Sequence, residues 1–191
     1  MSAHGWALNK LMSDMLDDRT IVISGELSRS ASTAVLSQLL LLNGTNPDED
    51  IRLYIDSAAG SPSAAFAICD VIDWVTPDVS TWAVGTVESA ATLVLCAGAA
   101  GKRYALPGSA VVLREPGLDE GLAGEHLESP EAVHRKWVDD MVRLLAERTR
   151  RSPDAVAGDL RGHRRLSAAE SVAYGIVDQV VAGGKYAPQG N

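Results

Sequence analysis

The sequence contains only two cysteines, Cys69 and Cys96, and both lie inside apolar stretches. Two such thiols cannot supply a disulfide framework or a metal-binding cluster, so they read as packed side chains. Positive charge is also short: 17 Lys and Arg stand against 25 Asp and Glu, for a formal net charge of -8. A surface of that sign does not track phosphates, which argues against nucleic acid and anionic membrane as partners. No uncharged apolar run approaches the ~18 residues that would span a bilayer. The opening "MSAHGWALNK" lacks both the basic start and the apolar core of a secretion signal. A soluble protein of the cytoplasm is the expectation. No internal repeat is visible.

What is present suffices for one globular unit, since 191 residues with 46% hydrophobic content can bury a sizeable core. A single domain over 1–191 is expected, with about 1–15 as an N-terminal leader and about 183–191, "GGKYAPQGN", as a flexible tail. The segment "RTIVISGEL" reads as a strand, and "SASTAVLSQLLLLNG" as a helix with a serine cap and a closing glycine. "IRLYID" and "SPSAAFAICDVIDWV" repeat that pattern, as do "VSTWAVG" and "SAATLVLCAGAAG". Short strands in "KRYALP" and "SAVVLRE" follow. Strands and helices alternating at these lengths predict right-handed βαβ units and a mostly parallel sheet. Beyond them lie a long amphipathic helix, "EAVHRKWVDDMVRLLAERT", two short capped helices, "SPDAVAGDL" and "SAAESVAYG", and a closing "IVDQVV".

The stretch "GTVESAATLVLCAG", residues 85–98, places Ser89 on a small-residue turn ahead of an apolar run. That is how a fold presents a nucleophilic serine at the start of a helix, and such a serine needs a base to take its proton.

Taken together, "LYIDSAAGSPSAAFAICD", "WAVGTVESAATLVLCAGAAGKRYALPGSAVVL" and "LSAAESVAYGIVD" resemble the proteolytic subunit of the Clp protease, from about Leu16 to Val181. The resemblance implies an α/β, crotonase-like fold of repeated ββα units with a projecting handle helix. It further implies a serine endopeptidase whose heptameric rings enclose a chamber, fed with polypeptide by a hexameric unfolding ATPase. The partner spends the ATP, so no cofactor and no nucleotide loop are expected. On this resemblance Ser89 takes the nucleophile position, and Gly60 and Ala90 take the two backbone donors of the oxyanion hole. Tyr54 falls on an aromatic of the pocket where the ATPase loop docks, although a strand tyrosine is more often simply core.

Two positions depart from the family pattern. Arg114, in "LREPG", stands where the family has its catalytic histidine, and His163, in "RGHRRLSAAE", stands where it has the triad aspartate. A guanidinium stays protonated and cannot accept a proton from a serine. Removing the base of a triad lowers turnover by roughly 10⁴ to 10⁶. Arg114 is expected to pair with Glu88 or Glu115 instead. His126 and His134 read as solvated surface groups, and His4 carries no argument.

Further departures are "AAG" for the family's Pro-Gly-Gly, an acidic "PGLDEGLAGE" for its substrate-pairing strand, and Arg161-Gly162 for an Asp/Glu-Arg pair that helps lock ring to ring. The segment that forms the family's axial pore loops is largely absent before "LNKLMSDML". The expectation is a structural or regulatory ring subunit, impaired in proteolysis, alongside other Clp-type subunits. Two alternatives stand beside it: an active serine endopeptidase drawing its base from His163 or a neighbouring chain, and a crotonase-type acyl-CoA enzyme holding an enolate oxygen on backbone N–H groups.

Overall fold

The computed structural model describes residues 3–117 and 129–183. Its organising element is β3 (Val79–Glu88), a ten-residue strand against which three other strands pair. On one side lies β2 (Ile51–Ser57), itself paired with β1 (Thr20–Ser24), both in parallel. On the other side β3 forks. Thr81–Ala83 pair in parallel with β4 (Arg103–Ala105), which pairs with β7 (Gln179–Val180). The last residues of β3, Thr86–Glu88, pair instead with β5 (Ala110–Leu113), and β5 pairs antiparallel with β6 (Arg164–Ser167).

The fork has a local cause. Gly85 takes φ +67, a left-handed value open to glycine, and the next amide, on Thr86, donates to Asp56 Oδ1 at 3.0 Å. The pairing of β2 and β3 slips at the same level, between Ile55 and Ser57. The strand therefore bends away from β4 and delivers its last residues to β5.

Helices cover the inner face. α2 (Arg29–Thr45), α3 (Pro62–Trp74), α4 (Ala91–Cys96) and the C-terminal half of α5 (Pro130–Thr149) pack onto one core. Strand residues Ile21, Ile23, Leu53, Ile55 and Val87 meet Leu39, Ile68, Leu93, Met141 and Leu145 there. Each such side chain contributes about 1.5–3 kcal/mol on burial. All the buried residues of α5 lie from Met141 onward, so its first half reaches beyond the core. α6 (Pro153–Arg161) and α7 (Ala168–Tyr174) flank β6, each entered through a serine: Ser152 accepts from the Ala155 amide, and Ser167 forms a reciprocal capping box with Glu170.

Most of the alternation read from sequence is present, including the parallel pairing. The stretch expected as a leader lies within a helix, α1 (Ala3–Asp17), which sets Leu16, just past it, against the core. One segment differs. β6 was not anticipated, because "RRLS" buries Leu166 alone and its strand character comes from the β5 edge beside it. The acidic "PGLDEGLAGE" expected as an altered substrate strand runs into residues outside those described, as do His126 and the tail from 184 onward.

Candidate active site

At the end of β3 the chain turns at Ser89, whose φ of +56 is uncommon for any residue but glycine. Its amide donates to the Val112 carbonyl at 3.2 Å, which ties it to β5. Its carbonyl accepts from the Thr92 amide at 3.0 Å and from Thr92 Oγ1 at 2.6 Å, which ties it to α4. A backbone held in the left-handed region costs on the order of 1–3 kcal/mol and persists when its surroundings fix it from several sides. Here β5 and α4 do so. Ser89 is 2% exposed, and among the described residues no side chain hydrogen-bonds to its Oγ.

A second strand end frames this corner. The loop after β2 runs through Ala58 and Ala59 to Gly60, which bridges Leu27: the Leu27 amide donates to the Ala59 carbonyl at 2.9 Å, and the Ser61 amide to the Leu27 carbonyl at 3.0 Å. A Cβ at Gly60 would lie 2.5 Å from Leu27 Cβ and 2.8 Å from its carbonyl oxygen, so only glycine fits. The N–H groups of Gly60 and Ala90 make no hydrogen bond among the described residues, leaving two donors unspent.

Arg114 is the first residue past β5. Its Nε lies 2.6 Å from Glu88 Oε1, and Nη2 reaches the Ala58 carbonyl at 3.5 Å. The Nε–H is enclosed yet is not aimed along a hydrogen bond, so the contact with Glu88 is an ion pair of close approach and poor alignment. With side chains 40% and 19% exposed, such a pair is worth no more than about 1 kcal/mol. Of the two partners expected for Arg114, the structure selects Glu88. Its guanidinium spans from the neighbour of Ser89 to the Ala58–Gly60 loop.

His163 follows α6 in a left-handed conformation, φ +51, and is exposed. Because Leu113 pairs with Arg164, His163 arrives at the end of β5 from which Arg114 departs. Ser89, Arg114 and His163 therefore occupy adjoining ends of β3, β5 and β6. Among the described residues no hydrogen bond joins His163 to either of the others. The register Glu88, Val112, Arg165 across the three strands sets those residues on one face, while Val87, Val111 and Leu166 fill the core on the other. Arg165 was missed in the sequence, since nothing local marks it apart from its neighbours in "RGHRRLS". His134 lies half-buried on α5, less open to solvent than expected.

The outer face of the sheet carries a separate feature. Tyr54, Trp82 and Tyr104 are register partners on β2, β3 and β4, with ring centroids 5.4 Å and then 4.3 Å apart. Tyr54 is half-buried in this row and not in the core. Trp82 and Tyr104 of the row line a cavity of about 310 Å³ whose other walls mix Arg19, Arg52 and Lys102 with Asp18, Glu49 and Asp50. Trp82 and Tyr104 went unremarked in sequence, although "RLYI", "STWAV" and "KRYA" place one aromatic at the same level of each adjacent strand.

A family model for Clp protease matches residues 3–184. The chain belongs to the Clp protease family. That family is of the serine peptidase type, and the mixed α/β sheet with its covering helices is the crotonase-like fold expected for it. The matched residues include both the Ser89 corner and the aromatic row. Among the described residues, no group of His, Cys, Asp and Glu could hold a metal ion, and no helix is long and apolar enough to cross a membrane.

Proposed function

We propose that this Clp-family chain is a ring subunit of an ATP-dependent Clp protease complex of the cytoplasm, one that contributes chamber wall and does not itself cut polypeptide. The observation that carries the reading is Arg114 beside Ser89, engaged with Glu88 where a proton acceptor would be required. The serine keeps its strained turn, and Gly60 and Ala90 keep two unspent amides in the oxyanion-hole positions, but Ser89 Oγ has no base at hydrogen-bond distance among the described residues. Catalytically intact Clp-type subunits in the same or a stacked ring would supply the chemistry. The row Tyr54, Trp82, Tyr104 supports docking of an apolar loop from an unfolding ATPase on the outer face.

The deciding experiment labels the purified protein with a fluorophosphonate serine probe, alone and mixed with a catalytically intact Clp subunit, with Ser89→Ala as control. The expected result is no labelling of this chain in either setting, together with co-migration in a ring-sized complex. The second reading, an active serine endopeptidase, draws on the preserved left-handed turn at Ser89. Labelling that disappears in Ser89→Ala would establish it, and the search for its base would begin at His163.

A further inference from the structure

Among the described residues, the donors at the Ser89 corner form few hydrogen bonds. Arg114 carries five N–H groups, and only Nη2 forms a hydrogen bond there, at 3.5 Å. Its Nε lies close to Glu88 without a formed hydrogen bond. Arg165, level with Glu88 and Val112 on the same face of the sheet, is exposed and makes no ion pair among the described residues. Among the described residues the amide of the half-buried Gly60 is likewise without an acceptor, whereas Ala90 is fully buried. The next arginine, Arg164, points elsewhere: it pairs with Asp159 at 3.0 Å and lies over the Tyr174 ring. Glu88, Arg114 and Arg165 together leave one positive charge, on a chain whose net charge is -8.

We infer that the Ser89 corner binds the free C-terminal carboxylate of a peptide, through Arg114, Arg165 and the backbone amide of Gly60. The inference rests on the Clp-type, non-cutting reading above. A carboxylate has two oxygens, so it can use the Gly60 amide and a guanidinium together, whereas the carbonyl of an unbroken chain has one oxygen and no charge to offer the arginines. The planar guanidinium fork matches a carboxylate, and such charge-assisted bonds are about twice as strong as neutral ones. A single surplus charge suits a monoanion, and the Glu88 carboxylate opposes a phosphate dianion. The site would hold polypeptide ends, such as those released by cutting subunits.

The test is calorimetric titration of the full chain with N-acetyl-tetra-alanine as the free acid and as the C-terminal amide, at physiological salt. The acid is expected to bind at least about tenfold more tightly than the amide. Arg114→Gln and Arg165→Gln should each reduce the acid to the level of the amide, and Glu88→Gln should tighten the acid by removing the competing carboxylate. Equal binding of acid and amide, no binding of either, or an acid preference that survives both arginine substitutions would overturn the inference. Fluorophosphonate labelling on the same preparation separates the two claims. An unlabelled Ser89 with no acid preference sinks the carboxylate site alone, and a labelled one sinks the non-cutting reading.

Discussion

Arg114 Nε lies 2.6 Å from Glu88 Oε1, which places a permanently protonated group against the residue preceding the serine of a nucleophile-like turn. The pair joins the end of β5 to the end of β3. A guanidinium there offers no lone pair to accept a proton.

Restoring a base should therefore need two changes, because a histidine at 114 requires a carboxylate behind it to fix its tautomer. The double substitution Arg114→His with His163→Asp is expected to raise fluorophosphonate labelling of Ser89 at least about tenfold over the parent, and either single change to leave it near background. The adjoining ends of β5 and β6 are what make position 163 the partner of position 114. Labelling by Arg114→His alone would show that the orienting group lies elsewhere.

Bending β3 depends on Gly85. A Cβ there would sit 2.6 Å from Asp56 Oδ1 at a φ of +67, so Gly85→Ala combines a clash with backbone strain. A loss of about 2–3 kcal/mol is expected in denaturant unfolding. Gly108→Ala, where a Cβ would meet nothing within 4 Å and φ is not positive, should be close to neutral.

Arg103 and Asp178 tie β4 to the turn after α7. The Arg103 Nη2 and Nε donate to the carboxylate at 2.6 and 3.0 Å, its backbone amide adds a third bond at 3.0 Å, and Nη1 reaches the Gly175 carbonyl. With the two side chains 12% and 21% exposed, Asp178→Asn should cost about 2–3 kcal/mol at pH 7, toward the lower end of what breaking a buried pair costs. Burial pushes the Asp178 carboxyl up, but its bonds from Arg103 outweigh this and hold it below the ordinary carboxylate value. A depressed carboxyl stabilises fully above its unfolded value, ~3.9, and loses that contribution as pH falls through its folded value. The stability gap between parent and Asp178→Asn should be the same at pH 7 and pH 5 and close below about pH 4. A gap that did not narrow at all below about pH 4 would rule out the ion pair as its source.

The two thiols should be silent in the folded protein. Burial pushes Cys96 up to about 12 and Cys69 higher still, and the thiolate is the reactive form. Iodoacetamide at pH 8 is expected to modify neither in the native state and both after unfolding, as read by intact mass. Fast native labelling of either would mean that α3 or α4 opens locally.

Local pattern carried much of this protein. The period-2 burial of "IRLYIDS", which becomes β2, and the serine caps of α6 and α7 depend on neighbours a few residues away, so the sequence shows them. The small-residue turn at Ser89 was legible for the same reason. Tertiary structure decided the rest. The choice of Glu88 over Glu115 for Arg114 follows from the register of β3 against β5, which no local signal encodes. The existence of β6, the alignment of Tyr54, Trp82 and Tyr104 into one row, and the placing of Arg165 level with Glu88 across Val112 all need strands far apart in the chain to be laid side by side. Composition and periodicity determine which face of an element is apolar, while the partner of each polar group depends on which distant strand the core brings next to it.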